Sequence, residues 1–362
     1  MELSSADGYD KSERRHRNRV AMNNRWRHIV MGCAAACGLC LCAAAIGWAA
    51  NPPVNRPRIA APAGPAEPPK AWLDANPLVI FPVMDAALPD SSGRFSDSIA
   101  RGLSRIVKPA AVLGGPVTVA GDRYPALSSL RIDLSNSVTV TGPAKVKLRK
   151  ESPIRPGVAV DAFAVTAQPL RVYTGNINYT LAASDAVFDL RADKDNTHTL
   201  LVMEDASGGN FSVTAKIGDL QAALVGTIDT MLAGTGMSVQ SVKLKMDASG
   251  PHSLHTDTTI SVAEMLMPSA DAHIEATMDV DDALNGTIHN LKVTGQGVLG
   301  STFVGLFSGS LKDYQDKTRP LMEFPTGKIH LSSMQFNVSD GTLKITGTFA
   351  GTKATTQPTT KP

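Results

Sequence analysis

Beyond residue 42 the 362-residue chain has no cysteine. The four it does have, Cys33, Cys37, Cys40 and Cys42, fall within ten residues, in a run of Ala, Gly and Leu. The main body therefore folds without disulfides, which suits a bacterial envelope protein better than a small secreted domain. Clustered cysteines also raise a metal site. A closed zinc site, however, needs ligands that converge from a turn or from separate elements. These four sit in what reads as one continuous apolar helix, where cysteine serves as a small apolar residue of a membrane span.

Aromatics are scarce at 5%, so Val, Ile, Leu, Ala and Met must build the core; a hydrophobic share of 43% is ample for that. Past residue 50 the two signs of charge nearly cancel. Without a basic field the main domain has no electrostatic reason to take nucleic acid as a partner.

Catalytic machinery is missing too. There is no Gly-x-Ser-x-Gly elbow, no phosphate loop and no His-Glu-x-x-His motif. His252, His255 and Asp257 in GPHSLHTDT are three residues able to ligate a metal, but their polar, turn-like setting reads as a solvated loop. His273, His289 and His330 lie in or beside strands among apolar neighbours and are expected to face solvent. Asp279-Val280-Asp281-Asp282 lacks the spacing of a calcium loop and reads as a strand-end turn. The expectation is a non-enzyme with no catalytic residue, no metal and no cofactor.

What is present decides topology. Six arginines and no acid lie between Arg14 and Arg27. Residues 29–50 follow, 22 positions without a charge, bounded by Asn51-Pro52-Pro53. About 20 apolar residues cross a bilayer, and flanking arginines stay on the cytoplasmic side. Residues 1–28 are then a basic cytoplasmic tail, 29–50 a single transmembrane helix, and the remainder is exported from the inner membrane. The competing reading is a cleaved signal peptide, with small residues near Gly47 and Ala49 as the cleavage site. The 28-residue polar leader and the length of the span favour the anchor.

Residues 51–70 are rich in Pro and Ala and favour extended, semi-rigid geometry, whereas residues 351–362 form a Thr/Pro/Lys tail expected to be disordered. Between them, 71–350 is the folded domain, with possible halves at 71–215 and 216–350. Period-two alternation marks strands at 130–134, 242–246, 274–280, 334–338 and 343–349. Asp340-Gly341 between the last two supplies the positive φ of a tight hairpin. Helical spacing marks 96–107, with Ser96 as N-cap, then 217–232, and 302–314 despite Gly305 and Gly309. The expected fold is α+β and mostly antiparallel, with long curved sheets packed on a few amphipathic helices. Each of the first two helices precedes a series of strands, the pattern of a duplicated helix-plus-meander module.

The segment GDLQAALVGTIDTMLAGTGMSVQSVKLKMDASG resembles the helix, link and strand of the LmeA-like phospholipid-binding proteins. The stretches NGTIHNLKVTGQGVLGSTFVGLFSGSL and GKIHLSSMQFNVSDGTLKITGTF are similar to their closing strands and terminal hairpin. The resemblance covers about residues 216–351 and is one of pattern; the N-terminal half departs from it. It implies a tubular lipid-binding-like architecture and an apolar groove that takes phospholipid or another long apolar ligand. The implied lining residues are Leu224, Ile228, Phe303, Phe307, Phe336, Val338, Leu343, Ile345 and Phe349. The opposing expectation is that these side chains pack a closed core and the domain is structural, part of an envelope assembly without a ligand.

Overall fold

The computed structural model describes residues 72–74, 80–83, 87–105, 107–110, 115–139, 147–149, 153–192, 199–232, 236–264, 267–297, 300–301, 304–305, 315–321 and 328–351. The expected tail, span and linker (1–70), most of the expected helix at 302–314, and the C-terminal tail beyond Gly351 lie outside them. In chain order the first half carries β1 (Trp72–Asp74), β2 (Ile80–Val83), α1 (Ser92–Leu103), β3 (Val107–Lys108), β4 (Val117–Ala120) and β5 (Ala126–Asp133). It continues through β6 (Val138–Thr139), β7 (Lys147–Arg149), β8 (Arg155–Val172), β9 (Gly175–Ala192), β10 (Thr199–Asp205) and β11 (Gly208–Lys216). The second half begins with α2 (Ile217–Leu232) and runs on as β12 (Met237–Gly250), β13 (Ser253–Glu264), β14 (Met267–Val280) and β15 (Asn285–Gly295). It closes with β16 (Thr318–Pro320), β17 (His330–Ser339) and β18 (Thr342–Ala350).

The protein is mostly β, with two helices among the described residues. An 11-stranded sheet has the path β17-β18-β11-β9-β8-β5-β4, and a 5-stranded sheet runs β12-β13-β14-β15-β16. The smaller sheet is a plain antiparallel meander. The larger one is mixed, because β8 pairs in parallel with β5 and β6. The two halves of the chain therefore differ in connectivity, and β4, β5 and β8 do not repeat the meander of β12–β15. They also interlock: β18 forms its ladder on β11, from Lys216↔Thr342 to Gly209↔Phe349.

β8 and β9, of 18 residues each, form the hairpin at the centre of the large sheet. Their apolar faces change parity midway. In β8 the buried set runs Val158, Val160 and then Phe163, Val165, Ala167, with Asp161 and Ala162 both exposed between. In β9 the set Ile177, Tyr179, Leu181, Ala183 gives way to Ala186, Phe188, Leu190 around Ser184 and Asp185. Asp185 has φ 49°, which breaks the regular pleat there. A one-residue shift would otherwise turn every later side chain to the wrong face.

The helices form for separate reasons. α1 starts four residues earlier than its spacing suggests: extended Ser91 (φ −146°) is the N-cap position, and its carbonyl accepts from the Phe95 N–H at 2.9 Å. Ser96 lies inside the helix instead of capping it, and its hydroxyl donates to the Val117 carbonyl at 2.8 Å, tying α1 to β4. Phe95, Ile99 and Leu103 are buried on one face. The helix stops at 103 because Val107 is already paired with Thr139 as a strand. α2 spans 217–232 as the spacing predicts. The tight turn at Asp340-Gly341, with φ 49° and 67°, also matches expectation.

Candidate functional site

Of the nine residues implied as groove lining, seven are described; Phe303 and Phe307 lie outside the described residues. Leu224, Ile228, Phe336, Leu343, Ile345 and Phe349 are each at most 4% exposed, and Val338 is half-buried and packs against the same core. All seven belong to one hydrophobic cluster. On the hairpin Phe336 faces Ile345 and Val338 faces Leu343. That face continues onto β11, where Ile345 faces Val213 and Leu343 faces Ala215. The Ile217 N–H donates to the Gly341 carbonyl at 2.7 Å, so the start of α2 is fastened to the hairpin turn.

α2 is the piece between the sheets. On one side it lies against the β8–β9 turn, where Gly175 and Gly226 leave room for the backbone of Asp219 and the ring of Tyr173. Asp219 Oδ1 accepts from the backbone N–H of Asn176 at 3.0 Å. On the other side α2 runs along β12, the edge strand of the smaller sheet. Gln221 Nε2 donates to the Leu244 carbonyl at 3.4 Å, and Asp229 Oδ1 accepts from the Val239 N–H at 3.3 Å. A helix covering an edge strand blocks pairing with other chains. Nearby, the Phe336 N–H on β17 donates to the carbonyl of Pro251 in the β12–β13 turn at 2.8 Å, which brings the two sheets together.

The two faces of the smaller sheet differ sharply. Its inner face carries Leu244, Leu254, Ile260, Val262, Ala272, Ile274, Ala276 and Met278, all buried, with two buried hydroxyls, Thr256 and Thr258. No Phe, Tyr or Trp occurs in β12–β15. The outer face carries charge. His273 Nδ1 lies 3.3 Å from Asp257, His289 Nδ1 lies 3.0 Å from Asp316, and Lys292 pairs with Glu275 at 3.2 Å. His255 Nδ1 is 3.1 Å from the Thr277 hydroxyl. His255 and Asp257 thus stand on strand β13; the expected loop is confined to Pro251 and His252. His273 and His289 are half-buried on the solvent side of their strands, and His330 is exposed. Among the described residues no three His, Cys, Asp or Glu side chains are grouped to hold a metal. Asp281 sits in the turn after β14, where hydrogen bonds from the Asn285 backbone and side chain hold its carboxyl below the usual range.

Periodicity did not point to a cluster of charges on the large sheet. Glu204, buried at the β9–β10 bulge, pairs with Arg191 at 3.2 Å through Oε2 and with Lys328 at 2.8 Å through Oε1. On β9, burial and then the Glu204 charge push the Asp189 carboxyl up. Lys328 is pushed up in turn by its bond to Glu204. The one signal in sequence is Glu204-Asp205 directly after the apolar run 200–203. Elsewhere burial raises the Tyr179 hydroxyl well above its ordinary value, and burial with Asp90 pushes Tyr124 up to about 12.

No family model matches the chain, and no curated protein or solved structure matches it either. Function therefore rests on the residues themselves. Among the described residues no helix is long and apolar enough to cross a membrane; residues 29–50 are not among them.

Proposed function

We propose that this is a membrane-anchored, extracytoplasmic protein of the bacterial cell envelope that binds a lipid or another long apolar ligand without catalysing a reaction. The observation that carries this reading is the inner face of β12–β15. It is long, aliphatic and free of aromatic rings, with small Ala272 and Ala276 and the hydroxyls of Thr256 and Thr258 set among Leu, Ile, Val and Met. A 14-residue strand such as β12 or β14 runs for about 45 Å. One leaflet of a bilayer is about 15 Å of hydrocarbon, half of the roughly 30 Å core, so an acyl chain lies well within that length. The pattern of residues 216–351, which resembles the LmeA-like family, supports the same reading. The arginine-rich leader and the uncharged run 29–50 support the anchor and the inner-membrane location.

A second reading is a structural or interaction domain with a closed core and no ligand. It is favoured by the burial of Leu224, Ile228, Phe336, Leu343, Ile345 and Phe349, and by the equal burial of the inner face of β12–β15, which leaves no open surface at either place. Under the first reading the closed inner face of the smaller sheet opens to admit the ligand, and these six residues support α2 and the hairpin behind it.

The two readings separate in one experiment. The full chain is purified from membranes in detergent, and its bound lipids are extracted and identified by mass spectrometry beside Ala276→Phe, which fills the inner face. Lipid on the parent and its loss from the variant, at equal circular dichroism, supports binding. Lipid on neither supports the structural domain.

A further inference from the structure

The outer face of the smaller sheet sets two carboxylates directly against each other. Asp257 of β13 faces Glu275 of β14 in the ladder, and like charges placed so repel. A histidine brackets the pair on either side. His273 Nδ1 reaches back across the seam to Asp257 at 3.3 Å, and His255 Nε2 lies 4.0 Å from Glu275. The next seams repeat the arrangement. His289 of β15 lies 4.0 Å from Asp279 of β14 through Nε2 and 3.0 Å from Asp316, just before β16, through Nδ1. Each seam from β13 to the segment leading into β16 is thus crossed by a histidine that faces a carboxylate.

We propose that these histidines are a proton-operated staple on the smaller sheet, closed when the rings are charged and slack when they are neutral. Each pair joins opposite charges only when its ring is protonated. Histidine ordinarily changes charge between about pH 5 and 8. The three side chains are 39–42% exposed, so they exchange protons with solvent directly. Among the described residues, charges reach this face from every strand of the sheet. β12 contributes Lys243, Lys245 and Asp247; Lys245 faces Asp257, and Asp247 faces His255. β13 and β14 contribute Asp257, Asp271, Glu275 and Asp279. Lys292 of β15 pairs with Glu275 at 3.2 Å, and Asp316 and Lys317 precede β16. Carboxylates outnumber lysines here, so a proton taken up by a ring enters an acidic field.

The sign follows from linkage. A proton held against a carboxylate across a seam loses that partner when the strands part, so protonation favours the closed sheet. The contribution is complete in acid and fades as pH rises through the range in which the rings lose charge. The consequence, though not the switch, rests on the function proposed above. The inner face that must open for a ligand belongs to these same strands, so opening is held back in acid and released toward neutral pH. Exposed pairs contribute little singly, and the three rings together are expected to change opening by about three- to tenfold.

Hydrogen exchange on the full chain in detergent, corrected for the intrinsic pH effect, measures opening of β13–β15 against the central β8–β9 ladder. Between about pH 5.5 and about pH 7.5, relative opening of the smaller sheet is expected to rise by that factor. The triple variant His255→Gln, His273→Gln and His289→Gln is expected to give a flat profile. A flat profile in the parent protein overturns the proposal, as does a triple variant that keeps the parental slope. Should the triple variant not fold, Asp257→Asn with Glu275→Gln removes the acceptors at the β13–β14 seam and must lower the slope there. No ligand enters these measurements, so a parent protein without bound lipid overturns the proposed function and leaves the staple standing.

Discussion

Phe188 of β9 meets Phe163 of β8 edge to face, with ring centroids 5.0 Å apart and planes at 74°. The pair sits just where the apolar faces of both strands change parity, so two rings span the break and keep the core continuous. Edge-to-face pairs add about 0.5–1.5 kcal/mol beyond the area they bury. Phe188→Ala is expected to lower unfolding free energy by about 3–5 kcal/mol in a denaturant titration. Phe188→Leu should cost less than half of that; equal losses would mean that apolar volume alone recovers nothing there and that the ring is required.

Gly226 and Tyr173 set how closely α2 approaches the β8–β9 turn. A Cβ on Gly226 would come within 2.5 Å of Tyr173 Cγ and 2.7 Å of its Cβ, atoms near the backbone that cannot swing away. In an open helix Gly→Ala gains about 1 kcal/mol. Here Gly226→Ala is expected to lose about 1–3 kcal/mol through overpacking. Adding Tyr173→Ala should return part of the loss, and a double-mutant cycle measures that coupling. Strict additivity would show that the two positions do not touch.

Asp281 provides a pH signature on the smaller sheet. Its carboxyl is lowered chiefly by the Asn285 backbone N–H, at 2.8 Å, and then by the Asn285 side chain. A lowered carboxyl stabilises the fold above its unfolded value, and that contribution is lost as pH falls through the folded value. Acidification below about pH 4 should therefore speed exchange at the β14–β15 turn. In Asp281→Ala the turn should already exchange fast at neutral pH and respond less to acid. An unchanged acid response in the variant would exclude Asp281 as the group responsible.

Gly341 occupies the hairpin turn at φ 67° and its carbonyl receives the Ile217 N–H. Gly341→Val forces a β-branched residue into the left-handed region, at a cost of about 1–2 kcal/mol. The thermal midpoint should fall accordingly. Gly341→Asn, which tolerates positive φ, should fall much less.

The hairpin at 334–349 was legible because strict alternation flanks an Asp-Gly pair, and both signals act over a few residues. α2 was legible because four apolar side chains recur at helical spacing before two glycines. β8 and β9, the longest strands, were not. Their alternation breaks at Asp161-Ala162 and Ser184-Asp185, so each reads as two short, weak runs. The mixed character of the large sheet was hidden as well, since the parallel pairing of β5 with β8 leaves no local mark. Of the implied lining residues, the hairpin and α2 positions meet in one core, a consequence of apolar periodicity alone. The charged cluster at Glu204 draws on Arg191 and Lys328, brought together only by tertiary pairing. His255 and Asp257 were misread as loop because a Gly-Pro turn precedes them, while the strand resumes two residues later.

The ladder between β11 and β18 joins segments made far apart in time. Residue 216 leaves the ribosome 126 positions (342 less 216) before its partner Thr342. Until the last strand arrives, one side of β11 offers unbonded amides and carbonyls to any extended chain nearby. Such long-range pairing is slow to form and leaves partly folded chains prone to association. A stop codon placed before residue 330 would thus release a domain with an open, sticky flank, and cells should meet that product with proteolysis or aggregation well before any loss of function is felt.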